Sequence, residues 1–349
     1  MNHDFLTTLP GAVVEDDVLQ HLGNPVAEQR SLAAGTALAV LGDRAVIAVP
    51  GEDRLSWLDS VSSQALTNLA PGESTELLIL DPQGHVEHAA GVVDDGETTW
   101  LIADAADAEG LLAWLRRMRF RLRVDPRDAS DEFAIVAGTR AAIAGVPAAA
   151  VWHDPWPGVT AGGWAYGSGA PERDWAEALV PVASLESVVS AAQGIAGAVA
   201  ADALRVAAWR PRMADVDERT LPHEMDWLRT AVHLNKGCYR GQETVAKVHN
   251  LGHPPRRLVA LQLDGVVPAR GDAVRRDDAE VGTVVASALH FEEGPIALAL
   301  LRRSVPVDAA LAVATADGDV AAAQEVIVPP DAGATADVPR MPRLGRRAS

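Results

Sequence analysis

An α+β fold of two or three domains, ending in a small all-β barrel, is what the 349-residue sequence predicts. Three observations lead there. The length exceeds what one hydrophobic core usually serves. Between Thr36 and Val136 short apolar runs alternate with two amphipathic segments in the order strand, helix, strands, helix, strand. From Arg257 to Arg302 only strands remain, separated by Gly and Asp turns.

Residues 1–33 carry no strong pattern and are expected to wrap the surface. Thr36–Val49 predicts two strands about the turn Gly42-Asp43-Arg44. Pro50-Gly51-Glu52-Asp53 opens a helix with Leu55, Leu58 and Val61–Leu66 inward. Strands follow at Glu76–Leu80, His85–Val93 and Thr98–Ala103, joined by Asp81-Pro82-Gln83-Gly84 and Asp94-Asp95-Gly96. Asp107–Met118 predicts a second helix, and strands at Leu122–Val124 and Phe133–Val136 are expected to close this unit. In the Ala-rich region 140–235, Ser184–Val199 predicts a helix capped by Ser184 and interrupted at Gly194. Leu204–Trp209 predicts a strand, and Asp215–Glu224 an acidic loop. The four tryptophans from Trp152 to Trp175 are expected to plug an interdomain core. Gly167-Ser168-Gly169 lacks the spacing and lysine of a phosphate loop, so it predicts a turn. A helix at Gln242–Asn250 stops at Gly252 and Pro254-Pro255. Strands Arg257–Leu263, Ala273–Arg276, Glu280–Leu289 and Ile296–Arg302 form the barrel, and disorder is expected from Pro329.

Composition narrows the function classes. A net charge of −18 repels nucleic acid overall, which argues against a general DNA or RNA coat. The arginine run from Arg116 to Arg123 predicts a solvated face rather than a phosphate site. No stretch of 18 apolar residues suggests a membrane span, and the N-terminus lacks a secretory pattern. A single cysteine excludes an internal disulfide framework and suits the cytoplasm.

The chain's rare residues coincide in Asn235–Lys247. This stretch holds the only cysteine, both lysines and one of two tyrosines. The other 28 basic residues are arginine, so a lysine at 236 implies something that arginine cannot do, such as fitting a compact ammonium or titrating. Lys236 and Arg240 flank Cys238, and a helix begins near Gly241. That arrangement predicts a thiol biased toward its reactive thiolate, if the side chains converge. Gly237 and Gly241 permit sharp turns, and Gln242-Glu243 can cap the helix. His233 and His249 are the local base candidates for Cys–His chemistry. His249 and His253 are four apart, but Gly252 and Pro254 break the helix that would align them on a metal.

Lys236-Gly237-Cys238-Tyr239-Arg240-Gly241-Gln242-Glu243 resembles the signature of the folate-binding YgfZ proteins, relatives of the glycine-cleavage T-protein, an aminomethyltransferase. The resemblance covers roughly Thr36 to Val307. It implies a three-domain, T-protein-like cloverleaf around an opening for tetrahydrofolate. It divides the chain into an N-terminal surface segment at 1–35, a folate-binding α+β unit at 36–140, a second α+β unit at 141–253, a barrel at 254–328 and a disordered tail at 329–349. It also implies a role in assembling or repairing iron–sulfur enzymes, including tRNA-methylthiolating ones, with folate and these client enzymes as partners. Lys236 and Cys238 carry over as the residues tied to activity. Lys236, Tyr239, Arg240, Gly241, Gln242, Glu243, Glu224 and Glu87 carry over as candidate folate contacts, and no metal ligands are implied.

Two departures stand out. T-proteins carry Leu-Arg-Leu-Glu-Ala-Gly where this chain has Leu204-Arg205-Val206-Ala207-Ala208-Trp209, so the pterin-gripping carboxylate is Ala207. Losing such a charge-assisted pair costs about 1.5–3 kcal/mol unless another group, such as Glu224, replaces it. After the Gln83-Gly84 turn, Glu87-His88 stands where T-proteins place an aspartate pair. Both departures argue against the alternative activity, folate-dependent aminomethyl transfer, and leave open whether the protein turns over a substrate at all.

Overall fold

The computed structural model describes residues 4–167 and 169–336. Two five-stranded sheets and a closed barrel carry the chain. The first sheet runs, edge to edge, Ser74–Leu80, Val86–Asp94, Thr98–Asp104, Arg44–Pro50 and Arg127–Asp128, all antiparallel. Strand alternation sends Ile47, Val49, Leu77, Ile79, Leu101 and Ala103 to one face, where Trp57, Leu58, Leu111 and Leu115 of helices Arg54–Val61 and Ala105–Met118 cover them. Each fully buried Leu, Ile or Val among them contributes roughly 1.5–3 kcal/mol.

The opposite face, with Val46, Ala48, Trp100 and Ile102, packs on the second sheet through Ala39, Ile135, Ala137, Trp152 and Trp175. That sheet runs Val151–His153, Ala176–Pro181, Phe133–Gly138, Leu38–Val40 and Ile195–Ala196, and only its last pair is parallel. Phe133–Gly138 is therefore the central strand of the second sheet and does not close the first as expected. No strand forms at Leu122–Val124. The chain turns there at Phe120, whose φ is +48°, and the edge strand is Arg127–Asp128.

Three further expectations change. Leu204–Trp209 is not a strand: Ala198–Ala207 is a helix burying Ala200, Ala201, Ala203 and Val206 on one side. Alanine favours helix strongly enough to override the short β-like run at its end. The preceding helix is Val182–Ala191, starting after Pro181 rather than at Ser184, and Ile195–Ala196 is a strand. The first 33 residues do more than wrap the surface. Asp16 and Asp17, both at positive φ, turn a hairpin between Val13–Glu15 and Val18–His21. Asn24 then caps helix Pro25–Ala33 by accepting from the Ala27 amide at 3.0 Å. From that helix, Gln29 bonds Leu289 and Phe291 of the barrel.

The closed barrel orders its strands Arg256–Leu263, Gly294–Arg302, Ala279–His290, Ala273–Arg276, Leu311–Thr315 and Gly318–Val326. The last two strands extend the expected set. Just past them, residues 329–336 are not disordered: Ala332 is buried, and Thr335 bonds the His249 carbonyl. The remainder of the expected tail lies outside the described residues, as does Ser168 in the expected Gly167–Gly169 turn. Of the four tryptophans, Trp152, Trp156 and Trp175 are buried, whereas Trp164 is 44% exposed.

Candidate functional site

The motif loop lies between the first sheet's helix end and the helix Gln242–Leu251. Lys236 crosses to the C-terminus of helix Arg54–Val61. Its ammonium donates to the carbonyls of Asp59, Ser62 (3.0 Å) and Gln64 (2.7 Å), with the Asp59 carboxylate at 3.5 Å. These carbonyls lie at and just beyond the helix end, where unpaired C=O groups carry partial negative charge. Burial pulls the lysine pKa down, and Asp59 partly offsets this. A tetrahedral ammonium serves three converging carbonyls; a planar guanidinium has the wrong shape for that cage. The cage accounts for a lysine in an arginine-rich chain, and it corrects the expectation that Lys236 reaches a folate: its donors are spent on the backbone.

Cys238 is exposed. The cations expected to serve it are committed elsewhere, Lys236 to its cage and Arg240 to Glu87 at 2.6 Å. Tyr239, between them in sequence, is buried beneath the loop in the core formed with Met225, Trp227 and Val245. Its ring lies 5.5 Å from the Lys236 ammonium, and burial raises its hydroxyl pKa. Gly241 has φ +84°, and a Cβ there would stand 2.7 Å from the Asp81 carbonyl. Gly84, also at +84°, would place its Cβ 2.9 Å from that of Thr244. The Asp81–Gly84 turn is thus seated on the start of the motif helix through two glycines, which tolerate this conformation without cost from a side chain. Gln242 leans toward the carbonyls of Lys236 and Gly237 at 3.4 Å, and Glu243 is exposed.

The remaining sequence candidates do not join this loop into one pocket. Glu224 is fully buried and accepts from Leu221, from the Arg256 backbone and from the Arg256 guanidinium at 2.8 Å. It anchors the barrel, which corrects the suggestion that it replaces the pterin-gripping carboxylate. Glu87 is tied to Arg240 on the surface, and Ala207 ends a helix rather than lying on a ligand-gripping strand. His249 pairs with the Tyr166 hydroxyl, and His253 with the Ala332 carbonyl. No group of three or more metal-ligating side chains occurs among the described residues.

What the sequence did not disclose is an ionic network around a central cavity where both sheets and helix Ala198–Ala207 meet. The cavity measures about 70 Å³ and is flanked by Trp152, Trp175 and Trp227. On one side, Arg210 bonds Glu76 (2.9 Å) and Asp154 (3.2 Å), while Arg173 also holds Asp154 (3.0 Å). Glu76 further accepts from the Trp227 indole and the Thr230 hydroxyl. On the other side, Arg44 and Arg212 converge on Asp104 at 2.5 and 3.0 Å. Arg44 reaches Glu177, Arg212 reaches Asp43, and Arg205 bridges Asp202 and Asp215. Burial pushes the Asp104 pKa upward, yet Arg212 and Arg44 outweigh it and hold the group down at about 2. The available signal was faint: single charges inside apolar strands, as in Glu76 and Glu177, and the run Arg205–Arg212.

A six-stranded barrel appended to two packed sheets defines an aminomethyltransferase-type fold. The structure matches the glycine cleavage system aminomethyltransferase T of Bartonella henselae with a TM-score of 0.73, over 93% of this chain and 96% of that one, at 16% identity. The family model of the CAF17 C-terminal β-barrel domain matches residues 256–330. A protein of Arabidopsis thaliana named as a chloroplastic transferase is 23% identical over 308 residues, 81% of this chain and 69% of its own. The tRNA-modifying protein YgfZ of Aliivibrio fischeri strain MJ11 is 37% identical over 82 residues, which span 22% of this chain and 26% of that protein. Barrel, sequence matches and fold agree in direction: the chain is similar to YgfZ and CAF17 proteins in part of its length and shares the fold of the aminomethyltransferase.

Proposed function

We propose that the protein is a folate-binding-type, YgfZ-like accessory factor that supports assembly or repair of iron–sulfur enzymes, with tRNA-methylthiolating enzymes among its clients. The observation that carries the reading is the presentation of Cys238. The only thiol of the chain stands exposed on a loop fixed on both sides, by the Lys236 cage and by buried Tyr239. One thiol alone does not hold a cluster, which wants about four thiolates, so Cys238 acts together with groups of a client enzyme. The single cysteine also supports a cytoplasmic location.

The central cavity is the site this reading offers to tetrahydrofolate. The groups there suit a flat, nitrogen-rich ring in kind: three indole walls, and the carboxylates of Glu76 and Asp154 as acceptors once they release Arg210 and Arg173. When bound, a reduced folate supplies a one-carbon unit. The cavity as it stands has room for roughly five waters, at about 10–15 Å³ each, so ring binding requires the surrounding side chains to part. Aminomethyl transfer is disfavoured by Ala207 and by the engagement of Glu87 with Arg240.

The test is complementation. In cells lacking the protein, wild type restores methylthiolated tRNA and iron–sulfur enzyme activity, and Cys238→Ala does not, while the purified variant keeps its thermal midpoint. Full restoration by Cys238→Ala would remove the thiol from the function. A variant that unfolds would make Cys238 a structural residue.

A further inference from the structure

We propose that the face around Cys238 is a docking surface for a protein, the iron–sulfur client itself, with Trp164 and Leu251 as its anchors. The inference deepens the reading above and rests on it. Trp164 is the only exposed one of the chain's nine tryptophans. The loop that carries it is fixed at both ends. Arg229, itself buried and paired with Asp226, donates to the carbonyls of Pro157 (2.8 Å) and Gly167 (3.0 Å). Between them the amides of Thr160 and Trp164 donate to the Arg229 and Leu228 carbonyls at 3.0 and 2.9 Å. On this fixed backbone the Trp164 ring stands edge-on to His249 of the motif helix, 5.2 Å between centroids, with its other side in water. A large aromatic side chain held outward by rigid backbone costs a partner little ordering entropy, which is the character of a binding hot spot.

This loop and the motif form one surface. The Leu234 amide donates to the Gly162 carbonyl at 2.8 Å, and a Cβ on Gly162, at φ +72°, would stand 2.5 Å from the His233 ring. His233 and Leu234 lead into Cys238, while His249 lies on the helix that follows it. Leu251 ends that helix and is 60% exposed. From the thiol's end of the helix to Leu251 is about 15 Å, well inside the roughly 800 Å² that each partner contributes to a standard protein interface. The charges of the face select the occupant. Of the three cations between Asn235 and Leu251, Lys236 is caged and Arg240 is held by Glu87, which leaves Lys247 with Glu243 one turn before it. Such a face has too few free cations for a phosphate backbone, and it fits the apolar surface of a protein. The thiol points to the same occupant, because one cysteine completes a cluster only with thiolates that another protein brings to it.

The test measures binding of the purified full chain to a purified tRNA-methylthiolating enzyme holding its cluster, with complementation scored beside it. Wild type and Cys238→Ala are expected to bind alike, since the anchors are separate from the thiol. Trp164→Ala and Leu251→Arg are each expected to bind at least tenfold more weakly, with an unaltered thermal midpoint and an unaltered rate of Cys238 labelling by a maleimide. Neither then restores methylthiolated tRNA to the wild-type level in cells lacking the protein. If both variants bind and restore like wild type while Cys238→Ala restores nothing, the surface is overturned and the reading above stands. Restoration by Cys238→Ala would remove that reading, and this inference with it. The surface is also overturned if wild type shows no saturable binding to the enzyme. The same holds if Trp164→Ala instead loses binding to tRNA alone or breaks a dimer of this chain. Should Trp164→Ala fail to fold, Leu251→Arg decides from an exposed position.

Discussion

Replacing Lys236 by methionine keeps the length of the side chain and removes the ammonium from its carbonyl cage. Three backbone acceptors, of Asp59, Ser62 and Gln64, then lose their donor. At about 1.5–3 kcal/mol for each bond to a charged group, the gross loss is about 5–9 kcal/mol. Removing a charge that is almost wholly withdrawn from water returns much of that, so a net destabilisation of about 2–3 kcal/mol is expected. For a protein of this size it lowers the thermal midpoint by roughly 3–4 °C. Lys236→Arg keeps the charge but offers a planar fork to a three-sided cage, and it recovers less than half of the loss. Circular-dichroism melts and urea titrations of the three proteins measure both effects. A Lys236→Met protein within about 0.5 kcal/mol of wild type would refute the cage as a structural device. Full recovery by Lys236→Arg would refute the argument from ammonium shape.

Gly241→Ala puts a Cβ 2.7 Å from the Asp81 carbonyl at φ +84°, and is expected to cost about 1–3 kcal/mol in urea titration. An unchanged midpoint would mean that the Asp81–Gly84 turn is not seated on the motif helix. His223 is fully buried, donates Nε2 to the Val245 carbonyl, and is pushed down by burial to about 4. Below pH 6.5 the unfolded chain takes up a proton that the folded chain refuses until about pH 4, so stability falls as pH drops through that window, by about 3 kcal/mol. Asp226, raised by burial to about 6, acts in the opposite sense, so the reading is the difference between wild type and His223→Gln, which loses the His223 part. Parallel pH profiles for the two proteins would contradict it.

The first sheet could be read from the sequence because its punctuation is local. Asp81-Pro82-Gln83-Gly84 and Asp94-Asp95-Gly96 end strands within a residue or two of where the structure ends them. The motif helix was equally plain between Gly241 and Gly252. Leu38–Val40 and Phe133–Gly138 pair across nearly a hundred residues, and nothing in either run says which sheet it joins. Ala198–Ala207 misled because its last residues, Leu204-Arg205-Val206, fit a strand as well as a helix, and only the alanines before them decide. The coincidence of rare residues at Asn235–Lys247 was a sound pointer to a special loop, but one of its members proved architectural. Lys236 is rare because a helix end needs it. The ionic network stayed hidden for a physical reason: its partners run from Asp43 to Asp215, and a buried arginine looks in sequence like any surface arginine.

The most direct measurement is a titration of the protein with tetrahydrofolate, followed by tryptophan fluorescence, since Trp152, Trp175 and Trp227 flank the central cavity. Saturable binding in the micromolar range is expected, with a spectral change that shrinks in Trp227→Phe and an affinity that Lys236→Met leaves unaltered once its fold is intact. No binding up to millimolar concentration would contradict the folate assignment and leave Cys238 and its client enzymes to carry the function.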